Sequence, residues 1–272
     1  MKNLTKILAL LLAVLLAVSL CACGETTPPE DGGEGSRSGD EPTKSEQSSG
    51  SEEPQEGLPY TVVAPKDAGV NDVIVYGSYE QDGDTSNGKE PLEWLVLKRD
   101  GNNLLVITLY AVESRVFHTE RDYITWEGCS LRAWLNGEFL DTAFSSDERS
   151  AIRTTTVASQ PSPDYPEIPA GNDTEDKLFL LSIQEAETLF ADGNGLACSP
   201  SEALVAGGGF TQSKKPWYAK HPYACLWWLR SPGMDKLKIA YVDKGGTISV
   251  SGNQIDYDNN TCVRPAMWIT VG

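Results

Sequence analysis

Residues 24–57 contain no Val, Ile, Leu, Met or aromatic side chain, and this one tract decides where a core can form. A segment with nothing apolar to bury cannot offset its loss of conformational entropy, so it is expected to stay disordered. It carries ten acidic and two basic residues in 34 positions. Mutual repulsion then stretches a coil whose unperturbed span is about 30–35 Å. All seven tryptophans fall between positions 94 and 268, and no second low-complexity gap follows. A single folded domain over 58–272 is the expected organisation.

Ahead of the tract stand Lys2 and Lys6, an apolar run from Ile7 to Val18, and the string Leu20-Cys21-Ala22-Cys23. A cationic start, about a dozen apolar residues and a small residue before the cut describe a secretory leader, too short to span a bilayer. The last four residues resemble the bacterial lipobox. That resemblance implies cleavage after Ala22, a leader over 1–22, and a diacylglyceryl thioether on Cys23 with fatty acyl chains such as palmitate. Two or more chains hold a protein at a membrane durably. The expected location is the extracytoplasmic face of the cell membrane, with the acidic linker over 23–57 carrying the domain away from the lipid.

Charge removes one class of partner. The chain has 22 basic and 39 acidic residues, a formal charge of −17, and nucleic-acid binders need a basic face. Secondary structure reads from period and punctuation. Val73–Tyr76, Trp94–Leu97 and Leu104–Leu109 are β-branched or aromatic runs that predict strands. Ser130 is placed to cap a helix bearing Leu131, Trp134, Leu135, Phe139 and Leu140 at helical spacing. Ser145-x-x-Glu148 and Ser182-x-x-Glu185 are capping boxes, and Ser199-Pro200-x-Glu202 repeats the device with proline in the first turn. Strands return at Cys225–Leu229, Leu237–Val242, Thr247–Val250 and Cys262–Val271, with Lys244-Gly245-Gly246 as a hairpin turn. Helices in the middle and strands at both ends predict an α+β fold with mixed or antiparallel sheet.

Four stretches carry a family likeness: Trp126 to Asn136 (WEGCSLRAWLN), Gly171 to Ser182 (GNDTEDKLFLLS), Trp228 to Gly233 (WLRSPG) and Val263 to Ala266 (VRPA). Together they resemble DUF6273, a bacterial domain family of unknown function found on surface lipoproteins. The C-terminal half is similar to the C-type-lectin-like fold, which formylglycine-generating enzymes share. The resemblance implies a surface module that binds an extracellular glycan or protein through loops. The alternatives are an enzyme of the formylglycine-generating type using Cys225 and Cys262, or an envelope scaffold that binds nothing.

The candidate contact residues are Trp217, Tyr218, Tyr257 and the loop over Asn253, Asp256, Asp258 and Asn260. Exposed aromatics beside Asn and Asp make platforms for sugars or peptides. Arg230 and Arg264 are expected to brace this face, each paired with a carboxylate. Trp227 and Trp228 point to opposite sides of one strand, so one of them is expected at the surface unless both sheet faces are covered. Cys129, Cys198, Cys225 and Cys262 permit two disulfides or four buried thiols. Spacing alone also allows a Cys225–His221 nucleophile pair, although His221-Pro222 reads as an extended turn. No resident cofactor or metal is assigned. Three oxygen-rich clusters, at Asp82–Gly88 with Glu93, Asn172–Asp176 and Asp256–Asn260, are the places where Ca²⁺ would gather ligands. The first reads better as a hairpin loop and the second as a turn in which Asp and Asn bond their own backbone, and the third is a polar loop open to the same two readings.

Overall fold

The computed structural model describes residues 60–193, 195–212, 216–257 and 261–272. The leader, Cys23, the acidic tract, Asp258 and Asn260 lie outside the described residues. In chain order the strands and helices are β1 (Val73–Tyr79), β2 (Glu90–Asp100), β3 (Asn103–Thr108), β4 (Glu113–Ser114), α1 (Ser130–Trp134), α2 (Leu140–Ala143), α3 (Ser146–Ala151), β5 (Thr155–Val157), β6 (Thr174–Asp176) and β7 (Leu178–Phe179). They continue as α4 (Ile183–Leu189), α5 (Glu202–Gly207), β8 (Thr211–Gln212), β9 (Tyr223–Ala224), β10 (Leu226–Pro232), β11 (Lys238–Val242), β12 (Ile248–Gln254), β13 (Thr261–Val263) and β14 (Ala266–Thr270). The class is α+β, with mostly antiparallel sheets and a few short helices. Among the described residues no helix is long and apolar enough to cross a membrane.

Two five-stranded sheets organise the fold, in the orders β1-β2-β3-β14-β7 and β12-β11-β10-β13-β4. Only the β10–β13 pair is parallel within them. One bent antiparallel ribbon joins the sheets. Residues 103–107 pair with β14 in the first sheet, and β4 pairs with β13 in the second. Between these, Thr108 N–H donates to Pro265 O (3.0 Å) and Val112 N–H to Val263 O (3.0 Å). The single strand expected over Cys262–Val271 is therefore two strands in two sheets. Pro265 has no N–H to continue a ladder, and the break falls where the chain changes sheet.

Local chemistry explains most helix starts. Ser145 and Ser182 form complete capping boxes with Glu148 and Glu185. Two expected caps move by one or two residues. The α1 cap is Cys129, whose Sγ accepts from Arg132 N–H (3.3 Å), while Ser130 Oγ accepts from Thr119 N–H (3.2 Å). The α5 cap is Ser201; Ser199 instead donates to Tyr223 O (2.7 Å), and Pro200 sits in a bridge with Ala111. Between α1 and α2 the helical path widens into a π turn over Leu135–Phe139.

Both Trp227 and Trp228 are fully buried, so neither reaches the surface. Trp227 Nε1 donates to Leu196 O (2.9 Å) and Trp228 Nε1 to Arg115 O (2.8 Å). Segments from two distant parts of the chain thus cover the two faces of β10. An indole with its N–H satisfied can be buried whole.

Candidate functional site

Three loops meet beside the far ends of β10 and β12. The first covers 119–124, the second joins β10 to β11 over 233–237, and the third follows β12 from Ile255. His118 N–H donates to Ile255 O (3.0 Å), Ile255 N–H to Leu237 O (3.0 Å), and Met234 N–H to Ser251 O (3.0 Å). Glycine makes this junction feasible. A Cβ on Gly233 would stand 2.6 Å from Ser251 O, and Gly252 has φ +78° with its added Cβ 2.8 Å from Ile239 O. Any side chain there would push the loops apart.

The loops present Tyr123 (38% exposed), Met234 (45%) and Tyr257 (52%). These are three of the five large apolar side chains exposed among the described residues, so exposure is concentrated here rather than scattered. Charged groups edge the patch. Lys236 Nζ lies 5.3 Å from the centre of the Tyr123 ring, a cation–π distance. Arg121 and Asp256 stand 3.8 Å apart, a solvent-screened pair of little energetic weight. The Tyr123 hydroxyl donates to Pro169 O (3.1 Å), and desolvation with the Glu127 charge moves its pKa up.

Of the residues proposed from sequence, Asp256 and Tyr257 belong to this face. Asn253 lies on β12, where it pairs with Ile239. The remaining candidates lie elsewhere. Trp217 is exposed (44%), but Tyr218 is fully buried, which corrects the expected exposure of that pair. Tyr218 donates to Ala197 O (3.2 Å), and its carbonyl takes the Tyr110 hydroxyl (3.0 Å). Edge-on contacts connect Tyr60, Trp217, Tyr218 and Tyr110. Ala197 packs on Gly246 at the hairpin turn, so this aromatic group sits at the opposite end of the β11–β12 hairpin from Tyr257.

Neither arginine touches the three-loop face. Arg230 is buried and forks onto Glu185, with Nη2–Oε1 at 2.9 Å and Nη1 bonded to Oε2; it also donates to Leu180 O and Ala158 O. It therefore ties α4 to β10. Arg264 departs from the expected carboxylate pairing. Its Nε donates to Thr108 O (2.9 Å) and Nη1 to Gly195 O (2.6 Å), and its guanidinium lies 5.2 Å from the Trp227 ring centre. No carboxylate lies within ion-pair distance of it among the described residues.

All four described cysteines are buried thiols outside any disulfide. Cys198 and Cys225 face each other across an antiparallel bridge, and burial pushes both thiols well up. Protonated, solvent-shielded thiols are poor nucleophiles. His221 is engaged with Pro200 O (3.1 Å) and Tyr223 N–H (3.3 Å). The first two oxygen-rich clusters are used differently. Asp82 and Asp84 accept from backbone two residues on, as a hairpin loop requires, while Glu93 takes the Tyr60 hydroxyl instead. The carboxylates of Glu80, Asp82 and Glu90 converge within 4.8 Å, a grouping the sequence spacing did not pick out. In the 172–176 cluster Thr174 Oγ1 donates to Asp176 within the cluster (2.6 Å), while the other bonds reach distant segments. Asn172 bonds Glu127, Asp173 accepts from Ser159 N–H, and buried Asp176 takes Arg132 Nε (2.7 Å) and Trp126 Nε1 (2.9 Å).

These features define an α+β head with two sheets joined by a bent ribbon and a loop-borne apolar face at one end. The family model described as "Domain of unknown function (DUF6273)" matches residues 94–271, and the chain belongs to that family. No curated protein and no solved structure matches it.

Proposed function

We propose that this chain is a lipid-anchored module, held by Cys23 at the extracytoplasmic face of the membrane, that binds an extracellular partner through the Tyr123–Met234–Tyr257 face. The head is read as C-type-lectin-like, a fold in which loops carry recognition while the sheets hold them. One observation supports the choice of face. Three large apolar side chains from three separate loops are exposed together, with Lys236 and Arg121 at the edge. Aromatic, Met and Arg side chains are the residue types enriched where proteins meet. The partner is accordingly a protein, with a surface glycan as the alternative chemistry. Catalysis through Cys225 and Cys262 finds no support, since both sulfurs are sealed in the core.

Two measurements test this reading. Metabolic labelling with an alkyne palmitate should tag the wild-type chain and leave Cys23→Ser unlabelled; label on both sinks the anchor. A photo-crosslinking residue in place of Tyr257 should capture one discrete partner on intact cells, and a reporter in place of exposed Val70 should not. Equal capture at the two positions overturns the choice of face, and none at either leaves a scaffold that binds nothing.

A further inference from the structure

A separate cleft lies between α4 and the β5–β6 ribbon, with part of the first sheet as its floor. Its volume is about 390 Å³, within the range of ligand sites. Thr155, Thr156, Val157 and Ala158 line it in succession, and no residue of β6 does. Side chains alternate across a strand, so four residues in a row reach one cleft only where it runs along the strand's flank. That flank is the one away from β6, the only strand with which β5 pairs. Among the described residues, no other backbone–backbone bond uses Thr155, Thr156 or Val157. A strand paired on one side turns the N–H and C=O of every second residue outward, unbonded.

The floor supplies the other contacts. Lys98, Leu105 and Trp268 stand directly opposite one another on β2, β3 and β14, so they form one row on one face of the sheet. Leu105 is buried, Trp268 half-buried and Lys98 exposed. Lys98, Glu185 and Arg230 are the charged residues of the lining. Arg230 and Glu185 neutralise each other through a forked pair. The Lys98 ammonium has no ion pair or hydrogen bond among the described residues. The cleft thus carries one uncompensated positive charge beside an apolar floor, in a chain of formal charge −17.

We propose that this cleft binds the C-terminal tail of a partner polypeptide, laid as an added strand along β5 with its terminal carboxylate at Lys98. This goes beyond the three-loop face and does not depend on it. Each part of such a tail answers one part of the cleft. Its main-chain N–H and C=O groups complete the unpaired edge. An apolar terminal side chain lies on Leu105 and Trp268, and the carboxylate balances Lys98. A fatty acid leaves the strand edge unbonded, a neutral ligand leaves the charge unbalanced, and a phosphate dianion exceeds it. A free oligopeptide would also bring an ammonium. The one carboxylate of the lining, Glu185, is already engaged by Arg230 and by the Ser182 N–H (2.9 Å), so the amino end of the ligand belongs to a longer chain outside the cleft.

The test is isothermal titration of the full-length protein in detergent with acetyl-Ser-Thr-Val-Xaa peptides. Xaa is Val, Leu, Phe or Trp, and each peptide is supplied as free acid and as amide. At least one acid should bind below about a millimolar, and about threefold or more tighter than its amide. Lys98→Met, a change at an exposed position, should erase that difference. Methylating alternate main-chain nitrogens of the peptide should abolish binding in one register and spare it in the other. Thr188→Trp fills the cleft from exposed helix surface and should weaken binding about tenfold or more. Tyr257→Ala should leave peptide affinity unchanged while losing partner capture on cells. No binding by any acid at millimolar concentration, equal affinity of acid and amide, indifference to both methylation patterns, or full affinity in Thr188→Trp overturns the proposal. Tighter binding of the unacetylated peptides overturns the choice of a tail. Each of these results leaves the three-loop reading standing.

Discussion

Single side chains in this fold take their chemistry from what surrounds them. Burial pushes the Cys129 thiol up to about 12, although its sulfur also serves as a helix cap. Burial outside any disulfide predicts that a thiol reagent leaves Cys129, Cys198, Cys225 and Cys262 largely unmodified in the native protein. All four should label in urea without reductant, and mass spectrometry counts them; a missing label would mean a disulfide. The two adjacent indoles make a second prediction. Trp227→Ala or Trp228→Ala removes a fully buried ring and should cost about 3–5 kcal/mol, read from denaturant midpoints. The sequence showed that these tryptophans alternate, but not that both faces are covered. Their covers, Leu196 and Arg115, lie 31 and 113 residues away, beyond any local signal.

At the scale of elements, the capping boxes were the most legible feature, because cap and partner sit within one turn. Ser145→Ala should cost about 1 kcal/mol. What the sequence did not show is that Glu148 also accepts from Gly77 N–H (3.0 Å) on β1, so the cap doubles as a tertiary contact. Burial alone would raise the Glu148 pKa, but hydrogen bonds from Ser145 and Gly77 to the ionised form outweigh it and hold the group low. A depressed carboxyl stabilises the fold above its unfolded value, about 4.3, and that gain is lost as pH falls through the lower folded value. Glu148→Gln should therefore be less stable than wild type at neutral pH. The gap should narrow below about pH 4, as followed by urea midpoints across pH; a gap independent of pH would refute the linkage. Gly77 is itself constrained. At φ +74° an added Cβ would stand 2.6 Å from the Phe144 ring, so Gly77→Ala should destabilise by more than about 1 kcal/mol.

For the whole molecule, the bent ribbon through Thr108 and Pro265 is where the two sheets become one body, and Arg264 staples it. Arg264→Leu would leave Thr108 O and Gly195 O without this donor, at about 1–3 kcal/mol each. Release of a buried charge offsets part of that cost. The expected net loss is about 2 kcal/mol, with unfolding still a single transition; a biphasic melt would show that the sheets are separable units. The class and many of the elements were readable in advance, because strand and helix periods are local. The site was readable only in part. Tyr257 and Asp256 stood out as a polar, aromatic loop, whereas Tyr123 and Met234 carried no motif and join them only because β12 returns alongside β10 and β11.

Local chemistry alone determined the tract from 24 to 57 as one with no core to build, the strand and helix segments after it, and two of the four helix caps. Those properties depend on residues within a few positions of one another. Pairing order, the hidden tryptophans, the carbonyl partners of Arg264 and the meeting of three loops were decided by the tertiary structure. Each depends on contacts between segments far apart in the chain, and a hydrophobic pattern states that a side chain must be buried without stating against what.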